Sequence, residues 1–209
     1  MAGTLAISVA LAYLLGSLPA GYLAGRMAGV DIRKVGSGNV GATNVTRVLG
    51  KKFGYPVFAV DFFKGVAAIT AAALIANANH LSPASVDLCA ASAALFAVIG
   101  HSYPVWLRFE GGKGVATTLG CLFGLDWIVA IAVCAVWYFI FQATRYVSLA
   151  SIVAALTLPL TVGAMLIWKQ LPSPVLFYFS LFLAVLVIFR HRSNLSRLIK
   201  GTEPRFDRK

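Results

Sequence analysis

The sequence has little charge and few acids for its length. Only 12% of its 209 residues are charged and Asp and Glu together number seven, whereas 59% are hydrophobic and the mean hydropathy is +0.83. A soluble globule of this size needs more polar surface than the chain provides. The scarcity of charge therefore excludes a soluble protein and predicts a single integral-membrane domain over residues 1–209.

Several patterns that carry chemistry in other proteins are absent. Cys89, Cys121 and Cys134 lack the spacing of metal ligands, so the sequence predicts no metal site and no cofactor. No histidine is followed by aspartate at the fifth position, which excludes the His-x4-Asp dyad of the large acyl-transfer families. The segment 111–114 has neither the upstream glycine nor the following Ser or Thr of a Walker loop, so ATP hydrolysis is not expected.

Long apolar runs, by contrast, recur along the whole chain. A helix that crosses a membrane needs roughly 20 mainly apolar residues. No Lys or Arg precedes Arg26, so the first run is not expected to be a cleaved signal peptide. We predict an all-α polytopic membrane protein with about seven transmembrane helices, near 4–25, 56–76, 86–104, 114–125, 127–143, 147–167 and 174–189.

The run 114–144 is long for one crossing and short for two. It holds no Lys or Arg. If the cations collect on one face, Lys113 and Arg145 lie on the same side of the membrane, so the chain between them must cross an even number of times. Two short helices joined at residues 124–126, or a re-entrant hairpin, would both satisfy this condition. A short helix that begins at Gly114 would direct its positive dipole end into the protein.

The cations are distributed unevenly. With seven crossings, 17 of the 18 Lys and Arg residues share one face and only Lys169 lies on the other. The positive-inside rule then puts the amino terminus outside and the carboxyl terminus in the cytoplasm. Anionic lipid headgroups and an anionic substrate account for the net charge of +11, so no nucleic-acid partner is expected.

Three polar, glycine-rich segments lie at the ends of these runs, on the predicted cytoplasmic face. They are residues 36–47, 111–117 and 191–197. The first contains a Gly-x-Gly-x-x-Gly pattern, but a membrane helix precedes it, so we reject a dinucleotide-binding fold. Glycines nevertheless let backbone N–H groups approach a phosphate, and a helix that begins near Thr43 and Asn44 would add its dipole.

Two cations in these segments are candidates for phosphate binding. Arg47 could hold phosphate oxygens in a bidentate clamp, and Lys113 could act as a point charge. The alternative for the first segment is a solvated interfacial turn with Asn44 as a helix N-cap. The alternative for Lys113 is a lysine that extends to the membrane surface. Thr117 and Thr118 could contact a ligand or bond back to their own helix.

Histidines and one charged pair complete the candidate set. His101 and His191 each adjoin a polar segment, where either could be a general base, a hydrogen-bond donor or a structural residue. Asp61 and Lys64 are three residues apart on a predicted transmembrane helix, and we expect them to pair, although Lys64 could instead reach the interface.

The polar segments resemble the bacterial acyl-phosphate-dependent glycerol-3-phosphate acyltransferases, the PlsY family. All three signatures are present in order, although Tyr103 stands where the family more often has Phe. They are Gly36-Ser37-Gly38-Asn39-x-Gly41-x-Thr43-Asn44-x-x-Arg47, then His101-x-Tyr103-Pro104 with Phe109-x-Gly111-Gly112-Lys113-Gly114-Val115-Ala116-Thr117, and His191-Arg192-x-Asn194-x-x-Arg197-Leu198-x-x-Gly201-x-Glu203.

The resemblance implies a reaction, its partners and a location. An acyl group would pass from acyl phosphate to the 1-hydroxyl of glycerol 3-phosphate, giving lysophosphatidic acid and phosphate in the first acylation of phospholipid synthesis. Membrane lipids would surround the protein in a bacterial cytoplasmic (inner) membrane. Acyl phosphate is already activated, so no covalent intermediate is required. Either the substrate phosphate or His101 could take the hydroxyl proton.

The resemblance also implies the site residues. The phosphate cradle would be formed by Ser37, Gly38, Asn39 and Thr43, with Arg47 and Lys113 on glycerol 3-phosphate. The full substrate-binding set is Gly36, Ser37, Gly38, Gly41, Thr43, Asn44, Arg47, Gly111, Gly112, Lys113, Asn194 and Arg197. The catalytic set is Ser37, Asn39, His101, Lys113, His191 and Asn194.

Two other classes of protein remain as alternatives. Broken helices with glycine-rich ends also bind anions in transporters, so a transporter of a phosphorylated metabolite is the main alternative. It would place polar segments at mid-membrane, whereas here all three fall on one predicted face. A lipid phosphatase would need a nucleophile or an acid cluster, and the seven acids are scattered along the chain.

Overall fold

The computed structural model describes residues 1–168 and 174–206, and all regular secondary structure in those ranges is helical. Lys169, the one cation predicted to lie outside, falls beyond the described residues. Short 3-10 turns cover Ile32–Lys34 and Val105–Leu107. The α-helices are α1 Ala2–Gly16, α2 Ala20–Met27, α3 Ala42–Leu49, α4 Lys51–Ala78, α5 Pro83–Ser102, α6 Val115–Leu125, α7 Trp127–Thr144, α8 Val147–Ile167, α9 Val175–Arg190 and α10 Arg192–Ile199.

The helices form two compact units, Met1–Leu125 and Asp126–Lys209. In the first unit, α1 packs against α4 and α5, and α4 packs against α5 and α6. In the second unit, α8 packs against α7 and α9. The expectation of a single domain over the whole chain stays a prediction.

Glycine lets the helices of the first unit approach closely. A Cβ at Gly16 would overlap the carbonyl of Ala97, so α1 and α5 touch backbone to backbone. A Cβ at Gly65 or Gly120 would likewise overlap a backbone oxygen of the facing helix in the α4–α6 pair. Small residues at such positions are typical of helix packing in membranes, where close van der Waals contact replaces the hydrophobic effect.

The first apolar run, predicted as one helix over 4–25, is divided in the structure. α1 ends at Gly16 and α2 begins at Ala20. Pro19 has no N–H group to donate and disfavours helical backbone at Leu18, so the break occurs where the chain cannot continue its hydrogen bonds. The predicted single helix is therefore wrong in this detail, although the two pieces together remain long enough to span a membrane.

Five helical stretches in the described ranges are long and apolar enough to cross a membrane, and the bent pair α9–α10 would be a sixth. This finding supports a multi-pass membrane protein and leaves the predicted count of seven open. α6 has 11 residues and is therefore only about 16 Å long. The five stretches are Ala2–Met27, Lys51–Ala78, Pro83–Leu107, Trp127–Thr144 and Val147–Ile167.

The run 114–144 breaks at Asp126, within the predicted junction. α6 ends at Leu125, and the Asp126 carboxylate accepts from the N–H groups of Ile128 and Val129 at 2.9 and 3.0 Å. A side-chain N-cap of this kind supplies acceptors for N–H groups that have none within the helix. The break therefore lies within the predicted junction at residues 124–126, and it fits both two short helices and a re-entrant hairpin.

Candidate functional site

The first polar segment is folded around the side chain of Asn44. Its Oδ1 accepts from Ser37 N at 2.8 Å, and its Nδ2 donates to the carbonyls of Ile32 and Val35 at 3.3 and 3.1 Å. A Cβ at Gly36 would overlap this amide, so glycine is needed there both for space and for its φ of 61°. Asn44 is buried and holds the turn in shape from within.

The helix that follows the turn begins slightly earlier than predicted. α3 starts at Ala42 with Gly41 as its N-cap residue, whereas the sequence analysis allowed Asn44 as the cap. That alternative is wrong, because the Asn44 side chain reaches back to the turn instead of capping the helix. Gly41 N donates to Asn39 Oδ1 at 2.8 Å, which fixes the backbone just before the helix.

The side chains predicted to hold a phosphate lie at the outside of this turn. Ser37 and Arg47 are exposed, and Asn39 and Thr43 are half-buried. Asp31, just before the turn, pairs with Arg33 at 2.9 Å. The hydrogen bond from Arg33 holds the pKa of Asp31 at about 2. The acid nearest to this turn along the chain is thus already neutralised by an arginine.

The second polar segment is attached to the end of α5 by two backbone hydrogen bonds. Gly111 N donates to Ser102 O at 3.2 Å, and Gly112 N donates to His101 O at 3.0 Å. Gly114 has a φ of 81°, which turns the chain into the first residue of α6. Lys113 is half-buried between these glycines.

Buried hydroxyl groups lie behind this loop. The oxygen atoms of Ser102, Thr117 and Thr118 are buried, and no group in the described part of the chain forms a hydrogen bond with them. The two threonines therefore do not bond back to their own helix, which was one of the two expectations. A side-chain hydroxyl that is buried without a hydrogen-bond partner is unusual in a folded protein.

A shared apolar cluster brings the first two polar segments together. It contains residues from the turn, from α3 and α4 and from the 3-10 turn that precedes Gly111: Ile32, Val40, Val45, Val57 and Leu107. A small cavity lies beside this cluster, with one wall from the α1–α2 break and the other from buried polar groups. Its lining is Ser17, Leu18, Pro19, Ala20, Gly21, Val40, Asp61, His101, Pro104 and Leu107.

The predicted pair of Asp61 and Lys64 is confirmed and includes a third group. Lys64 Nζ lies 2.7 Å from Asp61 Oδ1, and both side chains are about 3% exposed, so Lys64 does not reach an interface. His101 Nδ1 lies 3.4 Å from the same carboxylate oxygen. This contact was not predicted, because Asp61 and His101 are 40 residues apart and no local sequence pattern links them.

The third polar segment belongs to the second unit. The chain bends by 59° between α9 and α10, and the buried His191 at the bend donates through Nδ1 to Val187 O at 2.8 Å. One turn later, Asn194 and Arg197 point to the same acid. Asn194 Nδ2 lies 2.6 Å from Glu203 Oε1, and Arg197 Nε lies 2.7 Å from Glu203 Oε2. Asn194 and Arg197, three residues apart on α10, therefore lie on the same face of the helix.

Glu203 organises this segment, although it was not among the predicted site residues. Its Oε1 also accepts from Ser148 Oγ on α8 at 2.6 Å. Burial raises the pKa of Glu203, but hydrogen bonds from Ser148, Asn194 and Arg197 outweigh burial and leave it below its usual value. The feature of the sequence that could have indicated Glu203 is its position, an acid six residues after Arg197 and just beyond the end of α10.

The architecture defines the class of protein. It is a multi-pass helical membrane protein in which glycine-rich turns carry hydroxyl groups and cations at helix ends. Comparison with known proteins identifies the family. A family model described as glycerol-3-phosphate acyltransferase matches residues 6–201, and the chain therefore belongs to that family.

Curated relatives agree over nearly the full chain. The chain is 50% identical over 196 residues to the glycerol-3-phosphate acyltransferase of Synechococcus elongatus, covering 93% of this chain and 91% of the relative. It is 46% identical over 200 residues to the enzyme of that name from Aquifex aeolicus, with 95% and 97% covered.

Solved structures show the same fold. A crystal structure of PlsY, an integral membrane glycerol 3-phosphate acyltransferase in its glycerol 3-phosphate form, matches with a TM-score of 0.85 and 42% identity. It covers 97% of this chain and 96% of that one. The lysophosphatidic acid form of PlsY matches with a TM-score of 0.82 and 41% identity, covering 97% and 95%.

Proposed function

We propose that this protein transfers an acyl group from acyl phosphate to the 1-hydroxyl of glycerol 3-phosphate. The products are 1-acyl-glycerol 3-phosphate, which is lysophosphatidic acid, and inorganic phosphate, and the reaction is the first acylation of phospholipid synthesis. The observation that carries the proposal is the 50% identity to a named glycerol-3-phosphate acyltransferase over 93% of the chain.

The chemistry of the polar segments supports this reaction. Both substrates carry phosphate, and the first unit offers glycine backbone at residues 36–41 and 111–114 with Arg47 and Lys113 beside them. A phosphate bound to such groups is neutralised by cations and by N–H donors at the start of α3 and α6. Arg47 and Lys113 bind glycerol 3-phosphate, while Ser37, Asn39 and Thr43 hold phosphate oxygens.

The reaction itself needs little covalent help from the protein. The 1-hydroxyl oxygen attacks the acyl carbonyl carbon, the bond between that carbon and the phosphate oxygen breaks, and phosphate leaves with the electron pair. The hydroxyl proton passes to a phosphate oxygen, whose second pKa is about 6. Positioning and charge neutralisation then lower the barrier.

The proposal also includes the topology. Seven crossings in a bacterial inner membrane, with the amino terminus outside, would put all three polar segments on the cytoplasmic side with 17 of the 18 Lys and Arg residues. In the third polar segment, we propose that Asn194 and Arg197 bind substrate and that His191 and Asn194 take part in catalysis. Soluble glycerol 3-phosphate would then enter from the cytosol, while the acyl phosphate would keep its apolar tail in the bilayer.

A defined assay tests the proposal. Purified protein in detergent is incubated with palmitoyl phosphate and glycerol 3-phosphate, and released phosphate and lysophosphatidic acid are measured, with palmitoyl-CoA in a parallel reaction. We expect product only when both substrates are present and none from palmitoyl-CoA. A folded protein that forms no lysophosphatidic acid would contradict the proposal and favour a transporter of a phosphorylated metabolite.

A matched pair of lysine variants makes the assay specific. Lys113→Ala removes the cation between the glycines, and we expect activity to fall by about 100-fold or more, because a misplaced phosphate loses both neutralisation and orientation. Lys52→Ala removes an exposed lysine near the start of α4 and should leave the rate unchanged.

A further inference from the structure

The buried group of Asp61, Lys64 and His101 is unusual for the interior of a helical unit. Their exposed fractions are 2%, 5% and 7%. Lys64 Nζ contacts Asp61 Oδ1 at 2.7 Å and donates to Leu18 O at the α1–α2 break at 2.9 Å. Buried ion pairs seldom stabilise a protein more than apolar residues of similar volume would. Stability alone therefore does not account for this buried ion pair and the histidine beside it.

The geometry fixes which ring nitrogen of His101 carries the proton. Nδ1 lies 3.4 Å from Asp61 Oδ1, and a carboxylate only accepts hydrogen bonds, so Nδ1 is the protonated nitrogen. Lys64 balances the charge of Asp61, so the imidazole can remain neutral beside it. A carboxylate that sets the tautomer and orientation of a histidine in this way is a common device in enzyme sites.

The other edge of the same ring supports the second polar loop. A Cβ at Gly112 would overlap His101 Nε2, so this nitrogen lies against the backbone of Gly112. The carbonyl of His101 also accepts from Gly112 N at 3.0 Å. His101 thus contacts the loop through both its ring and its backbone, and Lys113 is the next residue.

We propose that Asp61 is a positioning residue, which orients His101 so that its ring fixes the Gly111–Gly114 loop and thereby the place of Lys113. In this proposal His101 acts through the loop, and the hydroxyl proton passes to the substrate phosphate as described above. The inference deepens the proposed function and rests on it for the role of Lys113, while the orientation of His101 is testable separately.

A charge-removing double variant separates positioning from stability. Asp61→Leu with Lys64→Met replaces both charges by apolar side chains, and we expect thermal unfolding close to that of the wild-type protein. The KM for glycerol 3-phosphate should rise by about tenfold or more, because a displaced Lys113 no longer meets the phosphate. Asp87→Asn, a change of an exposed acid on α5, is the control and should alter neither quantity. A folded double variant with the wild-type KM would overturn the proposal.

Two variants of His101 distinguish a positioning residue from a base. In His101→Asn the side-chain amide can donate from near the Nδ1 position to Asp61, but it cannot accept a proton. The positioning role predicts that His101→Asn keeps activity within about tenfold of the wild type, while His101→Ala loses about 100-fold. Equal and complete loss in both variants would show a base and overturn the proposal.

The tautomer of His101 can be observed without any assay of activity. Protein labelled with 15N-histidine has three imidazoles, and the His101 signals are those that disappear in His101→Asn. We expect the Nδ1–H form in the wild-type protein and a shift towards the other tautomer in the double variant. A wild-type Nε2–H form would overturn the positioning claim. Absence of lysophosphatidic acid in the wild-type assay would instead refute the proposed function and leave this spectrum to decide the orientation of His101.

Discussion

Two polar regions of this protein are each organised by one buried side chain, and they use different chemistry. In the first unit, the neutral amide of Asn44 binds the backbone of the turn at Ser37, Ile32 and Val35. In the second, the carboxylate of Glu203 binds side chains of Ser148, Asn194 and Arg197. The Asn44 amide fixes the backbone of the turn, and its hydrogen bonds do not depend on pH. The Glu203 carboxylate orients side chains, and its hydrogen bonds depend on its charge.

The largest expected effect comes from removing the amide. Asn44→Ala would leave one N–H and two carbonyls of the turn without their partner, and an unsatisfied buried polar group costs about 1–3 kcal/mol. We expect a loss of roughly 3 kcal/mol or more in the free energy of unfolding, measured by thermal unfolding in detergent, together with loss of acyl transfer. Asn79→Ala removes an exposed asparagine at the end of α4 and should change stability by less than about 0.5 kcal/mol. Equal stability of Asn44→Ala and Asn79→Ala would contradict the claim that the Asn44 amide organises the first polar turn.

A smaller effect is expected when the carboxylate loses its charge. Glu203→Gln keeps the size of the side chain but replaces one accepting oxygen by an NH2 donor. That NH2 group must face another donor, either on Arg197 or on Ser148 and Asn194, so at least one hydrogen bond is lost. Loss of a charge-assisted hydrogen bond should cost about 2 kcal/mol in unfolding free energy. Activity should fall as Asn194 and Arg197 lose their fixed orientation. Unchanged stability and rate in this variant would mean that Glu203 organises nothing.

The pH dependence of stability sharpens the contrast between amide and carboxylate. The pKa of Glu203 is lowered in the folded protein, so its contribution is present above its ordinary value of 4.5 and is lost as the pH falls through the lowered value. Wild-type protein should therefore lose more thermal stability than Glu203→Gln when the pH drops below 4.5. Asp31 titrates in both proteins and cancels in the difference. Parallel curves for the two proteins would contradict this assignment.

The smallest effect is expected at the exposed pair of Asp31 and Arg33. These side chains are 20% and 35% exposed and interact where salt screens them. Asp31→Asn should leave the melting temperature at neutral pH and moderate salt unchanged within error. A clear loss of stability would show that the first polar turn also depends on a charge, and it would weaken the contrast with Glu203.

The sequence predicted the helices better than their junctions. Apolar runs placed α7 and α8 within a residue or two, because about twenty apolar residues in a row leave few other structures. The break at Pro19 and the 59° bend at His191 were missed, although proline at least was visible. Such breaks depend on how a junction packs, and local sequence does not record that packing.

Within the candidate site, local patterns were the predictable part. Glycine-rich spacing and nearby cations indicated residues 36–47 and 111–117, and the spacing of Asp61 and Lys64 predicted their contact. The partnership of Asp61 with His101 and that of Glu203 with Ser148 were not predictable, because each joins residues at least 40 positions apart. These long-range contacts arise from the fold, and they decide which side chains hold the polar segments in place.

The glycine contacts of the first unit have a thermodynamic consequence. Because Gly65 and Gly120 press α4 and α6 together at the level of the backbone, neither helix can roll about its axis without a clash. The Gly111–Gly114 loop leads directly into α6, so one end of the loop is attached to a helix that cannot rotate about its axis. The conformational entropy of the loop is lost when the chain folds. A ligand that binds there, as proposed above, would therefore meet a preorganised surface and pay little further ordering cost.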